Sequence, residues 1–225
     1  MTERRYLLDE DRERGRERLT LLERLEDPAT IALLERLGVA PGWRCLEIGA
    51  GHGSIAAWLV ERVGSTGSVE ATDLDTTYLD ERSLVGLAFR RHDVARDDLP
   101  RDAFDLVHAR NVLVHVEERE SVLRKVARAL CPGGVLLVEE PDIGTDGADP
   151  SAAEHQRRIH DRVAPAVHRF LAARGLDLRT GARLFGWMRA LGLAEVRAEG
   201  RIRTIQEEAR RHARHTCWRS PISSR

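Results

Sequence analysis

Cys45-Leu46-Glu47-Ile48-Gly49-Ala50-Gly51-His52-Gly53 is the stretch that decides how this chain is read. An apolar run passes into glycines at alternate positions, and Ile55, Leu59 and Val63 then recur at helical spacing. A strand therefore turns through a glycine loop into a helix. Glycine tolerates φ > 0 and removes the Cβ atoms that keep a ligand off the backbone, while a helix starting near Gly53 directs free N–H groups at a carboxylate or phosphate. Taken alone, such a loop serves several nucleotides and is sometimes only a tight turn.

Two acids sharpen the reading. Asp73 in Val69-Glu-Ala-Thr-Asp73 lies twenty residues past Gly53, at the end of the next strand, where a carboxylate can accept bonds from both hydroxyls of a ribose. Asp93 in Arg91-His-Asp93-Val94 closes a third strand another twenty residues along and could accept from an exocyclic adenine amine. Three consecutive strand ends then carry ligands for one adenosine-like molecule. Asp75, two residues beyond Asp73, is expected to cap or face solvent.

Working outward, short apolar runs at Arg44 to Ile48, Ser68 to Leu74, Leu87 to Val94, Phe104 to Ala109 and Val135 to Glu139 read as strands. Helical patterns at Ile55 to Val63 and Glu118 to Leu130 separate them, so the expected fold is α/β: a Rossmann-like, doubly wound, mainly parallel sheet. Upstream, an opening helix should stop at Pro28, and a second short helix should run from about Thr30 to Leu37. Downstream, a helical stretch from about Ala152 to Arg174 should be kinked or divided by Pro165 and can serve as a lid. A helix marked by Leu184, Phe185, Met188 and Leu191 follows, with Phe185 and Trp187 expected in its core-facing side, and Ala194 to Ile202 alternates weakly as a sixth strand. The resulting division is a helical cap over 1–40, a core over 41–202 that includes a lid over 150–175, and an atypical basic tail over 203–225.

The 225 residues, 42% hydrophobic and 32% charged, suit one soluble globular domain. No apolar run approaches the length of a membrane span and no signal-peptide pattern opens the chain, so a cytoplasmic protein without a membrane partner is expected. The formal charge of −1 offers no pull towards nucleic acid, although the basic tail leaves a small opening for RNA. Cys45, Cys131 and Cys217 are too far apart for a zinc or redox motif. Of the 36 basic residues only Lys125 is lysine, which reads as codon bias rather than as a binding stripe.

These elements, with Phe104-Asp-Leu-Val-His-Ala-Arg110 and Leu130-Cys-Pro-Gly-Gly-Val-Leu-Leu-Val-Glu139, resemble the class I S-adenosylmethionine-dependent methyltransferases over roughly Pro41 to Pro141. The resemblance implies that Glu47, Gly49, Ala50, Gly51 and Gly53 hold the methionine part of the cofactor, that Asp73 takes the ribose and that Leu74 lies beside adenine. It further implies that Asp93 and Val94 meet the adenine edge, and that Ala109 and Arg110 approach the methionine amino group. Pro132-Gly133-Gly134 corresponds to a structural turn into the fifth strand. A nicotinamide fingerprint would want glycine where Ser54 stands, which ranks an NAD(P)-dependent oxidoreductase lower.

Transfer of a methyl group from a sulfonium is an in-line displacement with an activated leaving group, so holding the acceptor on the methyl axis supplies most of the catalysis. If the acceptor must lose a proton, His108 and His115 near the end of the fourth strand are the candidate bases. An Asn-Pro-Pro-aromatic tetrad is missing, Cys131-Pro132 reverses the order a cytosine C5 enzyme needs, and Arg110-Asn111 offers no acid cluster for a metal. The expected acceptor is a small molecule and no metal is expected; the pocket would be roofed by the opening helix, with Tyr6, and by the region from His155 to Phe170. The sequence leaves the acceptor atom and the oligomeric state open. It also departs from the family pattern, because Gln206 to Arg225 holds no seventh strand beyond a stub at Thr216-Cys-Trp218. A divergent or truncated reading frame and a genuine partner-binding tail both account for that, so a non-catalytic cofactor-binding protein stays in view.

Overall fold

The computed structural model describes residues 12–78 and 85–202. Five strands form one sheet: β1 (Arg44–Ile48), β2 (Ser68–Asp73), β3 (Leu87–Arg91), β4 (Phe104–Arg110) and β5 (Leu130–Glu139). Their order is β3-β2-β1-β4-β5, and every neighbouring pair is parallel. The chain steps outward from β1 to β3 and then returns across β1 to β4. That reversal opens a crevice at the carboxyl ends of β1 and β4, where doubly wound sheets bind their ligands.

Strand alternation sorts the side chains into two layers. Cys45, Val69, Ala71 and Leu106 pack with Ile55, Ala56, Leu59 and Val63 of α2 (Ser54–Val63) and with Leu34 and Val39. On the other face Leu46, Ile48, Val107 and Ala109 meet Val122, Leu123, Val126 and Ala129 of α3 (Arg119–Ala129). Leu184, Trp187 and Met188 of α5 (Thr180–Ala190) join this second layer. Trp187 is half-buried and packs against the core, close to what was expected, whereas Phe185 is exposed and its ring lies 6.0 Å from the Arg189 guanidinium.

Several expected boundaries move. The helix break at Pro28 does not occur, because α1 runs unbroken from Arg12 to Arg36. Proline deletes one N–H donor, but Pro28 and Arg24, the residue whose carbonyl it frees, are both exposed, so water can take the bond. The same holds for α4 (Glu154–Ala172), which passes through Pro165 undivided. None of its residues is buried. Strand β5 starts at Leu130 rather than Val135, since Leu130 pairs with Phe104 and the register then jumps to Leu106–Val135. Pro132-Gly133-Gly134 forms the bulge; a Cβ on Gly134 would sit 3.0 Å from the carbonyl oxygens of Cys131 and Phe104. The expected sixth strand is absent: Ala194 to Ile202 is irregular, with no strand beside it to complete a ladder among the described residues. Tyr6, Thr216 and the tail lie outside the described residues, and among those described no helix is long and apolar enough to cross a membrane.

Candidate cofactor site

Gly49, Gly51 and Gly53 all adopt positive φ, at 72°, 56° and 82°, so the turn out of β1 uses the conformations only glycine takes freely. A Cβ on Gly49 would also collide with the Val112 side chain. The N–H groups of Gly49 and Ala50 donate to the Thr72 carbonyl at 2.8 and 3.0 Å, strapping the loop to β2. Gly53 then caps α2 with no side-chain bond to the first turn, which leaves the amides there without intrahelical partners.

Asp73 ends β2 beside this loop. Its Oδ2 accepts from the Gly51 N–H at 2.9 Å and its Oδ1 from the Asp75 N–H at 3.1 Å. Burial pushes the Asp73 pKa up, and the backbone donors, Gly51 first, pull against it. Asp75 instead accepts from the backbone and hydroxyl of Thr77, the capping role its position suggests. Asp93 accepts from the Ala95 N–H at 2.9 Å and lies 3.6 Å from the Arg96 guanidinium, so one of its oxygens already closes a local turn. Val94 is buried in the second core layer and Leu74 is half-buried.

The N-terminal half of α1 roofs the loop. The Leu19 side chain lies 3.3 Å from where a Gly51 Cβ would sit, the Glu23 carboxylate lies 3.5 Å from His52 Nδ1, and Gly15 abuts the Tyr78 hydroxyl. Farther along, α1 is clamped to the sheet by Arg110, which donates to Thr30 Oγ1 at 2.9 Å and to Asp27 Oδ1 at 2.8 Å and stands 3.6 Å from Glu26. Asn111, at φ 57°, donates to Glu26. Ala109 faces the opposite, apolar layer, which leaves only its backbone for a ligand above β4.

Beneath this clamp lies a chain of charged groups that links three strands. Glu47 on β1 sits opposite His108 on β4, and their side chains meet at 2.6 Å through Glu47 Oε2 and His108 Nδ1. His108 Nε2 lies 3.2 Å from Glu139 Oε1, which also accepts from Thr30 Oγ1 at 2.7 Å. Glu139 Oε2 pairs with Arg201 at 3.0 Å. Burial alone would lower the His108 pKa, but the Glu47 charge and the two carboxylate contacts overcome it and raise the value to about 9. For Glu139, burial works upward and is outweighed by the bond and charge of His108, with a net downward shift. His115, in a short turn after β4, is pushed down to about 4 by burial and then by the Arg18 charge, so it is neutral at pH 7.

Four acids, Glu26, Asp27, Glu47 and Glu139, thus face three cations, His108, Arg110 and Arg201. Glu26, Asp27, Thr30, Glu139 and Glu140 were not expected in the site. Consecutive acids ending an apolar strand, Leu136-Leu-Val-Glu139-Glu140, were the available signal. Glu140 accepts the N–H groups of Val112, Leu113 and Val114 at 2.9, 2.7 and 3.0 Å and so holds the turn that carries His115.

Comparison with known proteins agrees with this geometry. Residues 4–198 match the model of a family described as a methyltransferase domain. The chain is 32% identical to a trans-aconitate 2-methyltransferase of Methylobacterium nodulans, over 71% of this chain and 61% of that protein. It is 33% identical to the methyltransferase GfsG of Streptomyces halstedii, over 49% of this chain and 42% of the other. The chain therefore spans about half the length of such relatives. The fold is shared with a phosphoethanolamine N-methyltransferase of Haemonchus contortus, solved with S-adenosyl-L-methionine, at a TM-score of 0.55 and 20% identity over 75% of this chain and 37% of that one. With its parallel sheet, glycine loop and matched domain, this chain belongs to the class I S-adenosylmethionine-dependent methyltransferase family.

Proposed function

We propose that the chain transfers a methyl group from S-adenosylmethionine to a small-molecule acceptor by in-line displacement, without a metal. The observation that carries this reading is the hydrogen bond from Gly51 to Asp73, which joins the glycine loop to the acid at the end of β2, beside the switch point of the sheet, and so supports a nucleoside seat there. The cofactor fits the residues present. Positive-φ glycines leave the backbone open to it, and Asp73 offers acceptors to a ribose.

When bound, S-adenosylmethionine supplies an activated methyl group. The protein's part is to bind, orient and exclude water: Asp73, held by the Gly51 N–H, takes the nucleoside end, the first-turn amides of α2 are left for the ligand, and α1 covers it. Where the acceptor is a hydroxyl or an acidic carbon, His115 is the base in our reading by its place after β4; the burial and Arg18 charge that hold its pKa at about 4 keep it neutral but make it a weak base. The small-molecule acceptor rests on relatives such as the trans-aconitate enzyme and on the missing base-methylation tetrad. The metal-free mechanism rests on Arg110-Asn111 standing where clustered acids would be needed.

Isothermal titration with S-adenosylhomocysteine tests the seat. Binding is expected, and Asp73→Ala should weaken it about ten- to a hundredfold, the worth of one charged hydrogen bond or two. A folded protein that takes up no product, or an Asp73→Ala variant with unchanged affinity, overturns the reading. Donor turnover with candidate acceptors, with and without EDTA, then separates an enzyme from a protein that only binds the cofactor.

A further inference from the structure

His108 is the one fully buried imidazole at the crevice, and both of its ring nitrogens point at carboxylates. A neutral imidazole has one N–H and one lone pair, so one of those contacts would set a lone pair against an anionic oxygen. With both carboxylates ionised, only the doubly protonated ring satisfies both ends at once. We infer that His108 is a positioning residue: a strut donating from Nδ1 to Glu47 and from Nε2 to Glu139, which fixes the Glu47 carboxylate at the base of the glycine loop and ties it to the α1 clamp.

The groups around the strut support this assignment from every side. Glu47 comes from β1, Glu139 from β5, and Thr30 from α1 donates to the same Glu139 oxygen. Arg110 on β4 reaches Thr30 and Asp27, with Glu26 beyond, and Arg201 closes the far oxygen of Glu139. Each carboxylate is thereby held by cationic or hydroxyl donors. Among the described residues the Glu47 carboxylate bonds only to His108, so without the strut a 3% exposed acid would stand as an uncompensated charge two residues before Gly49. This role differs from that of a proton acceptor. With both nitrogens donating, the ring has no lone pair to offer an acceptor, and proton removal falls to His115 or to no residue at all.

The charged ring is favoured by its neighbours up to about pH 9, against an ordinary histidine value of 6.5. Its contribution to stability is therefore complete below the ordinary value and is lost as pH rises through about 9.

The inference rests on the cofactor seat only for its functional consequence; the protonation state itself can be read without any ligand. In ¹⁵N-histidine-labelled protein, the His108 resonances are assigned as those absent from His108→Gln. Both ring nitrogens are expected to be protonated from pH 6 to about 8.5. A ring that shows one bare nitrogen at pH 7 overturns the strut, whatever the cofactor does. Calorimetry with S-adenosylhomocysteine gives the second arm. His108→Gln should weaken binding about tenfold or more at pH 7, since a buried carboxylate is left without its cation. The double variant Glu47→Gln/His108→Gln removes the stranded charge and should be more thermally stable than His108→Gln alone. A double variant no more stable than the single one shows that the pair is not coupled and overturns the proposal. Product binding lost only on Asp73→Ala, with a charged His108 intact, would uphold the strut and limit it to structure below the seat.

Discussion

The two faces of β4 solve opposite problems with the same backbone. Leu106, His108 and Arg110 alternate with Val107 and Ala109, so one strand sends a base of apolar packing topped by charge to α1, and an entirely apolar row to α3. On the α3 side, the contribution comes from area removed from water and is non-directional. On the α1 side it comes from hydrogen bonds whose geometry must be right, because each buried charge is costly alone. The lesson is that stability and ligand placement are segregated by strand parity: damage to one face should reach cofactor binding only when it reaches the ionic one.

The largest effect tests the apolar face. Leu123 is 1% exposed, so Leu123→Ala should cost about 2–5 kcal/mol of unfolding free energy through lost burial and a cavity. Chemical denaturation should show this while product affinity of the folded protein stays unchanged; a parallel loss of affinity would break the segregation. Next comes the clamp. Arg110→Leu should lose about 1.5–3 kcal/mol for its charged hydrogen bonds to Asp27 and Thr30, and here the product affinity should fall too, because α1 is released from the sheet. An unchanged affinity in that variant would show that the roof over the glycine loop holds without its anchor.

A third test, read from a pH profile, concerns Glu140. Burial raises its pKa to about 7, with the Leu113, Val114 and Val112 N–H groups pulling the other way. An acid whose folded value lies above its unfolded one binds more protons when folded, so stability should decline as pH rises from about 4.5 to 7 and level off above. Glu140→Gln should flatten that decline, and urea titrations across this range would show it; an equally steep profile in the variant would assign the slope to another group.

Much of this arrangement is legible before folding. The glycine spacing at Gly49, Gly51 and Gly53, the acid at Asp73 and the short apolar runs of β1, β2 and β4 are local signals, and local steric and pairing rules translate them directly. Phe185 and the weak alternation at Ala194 to Ile202 misled for the complementary reason: burial and strand pairing depend on a neighbour, and neither residue pattern names one. Pro28 and Pro165 misled because a proline's cost depends on whether water can reach the carbonyl it frees.

What the sequence determined alone was therefore the order of elements and the position of the cofactor loop, since backbone conformation and hydrophobic period are properties of adjacent residues. What only the tertiary structure decided was the meeting of Thr30, Glu47, His108, Arg110 and Glu139. These residues are separated by up to 109 positions, and they acquire their charges and partners from one another only once four elements bring them together. A histidine that looks like a base in the chain becomes a donor in the fold, because an ionisable group takes its protonation state from what faces it.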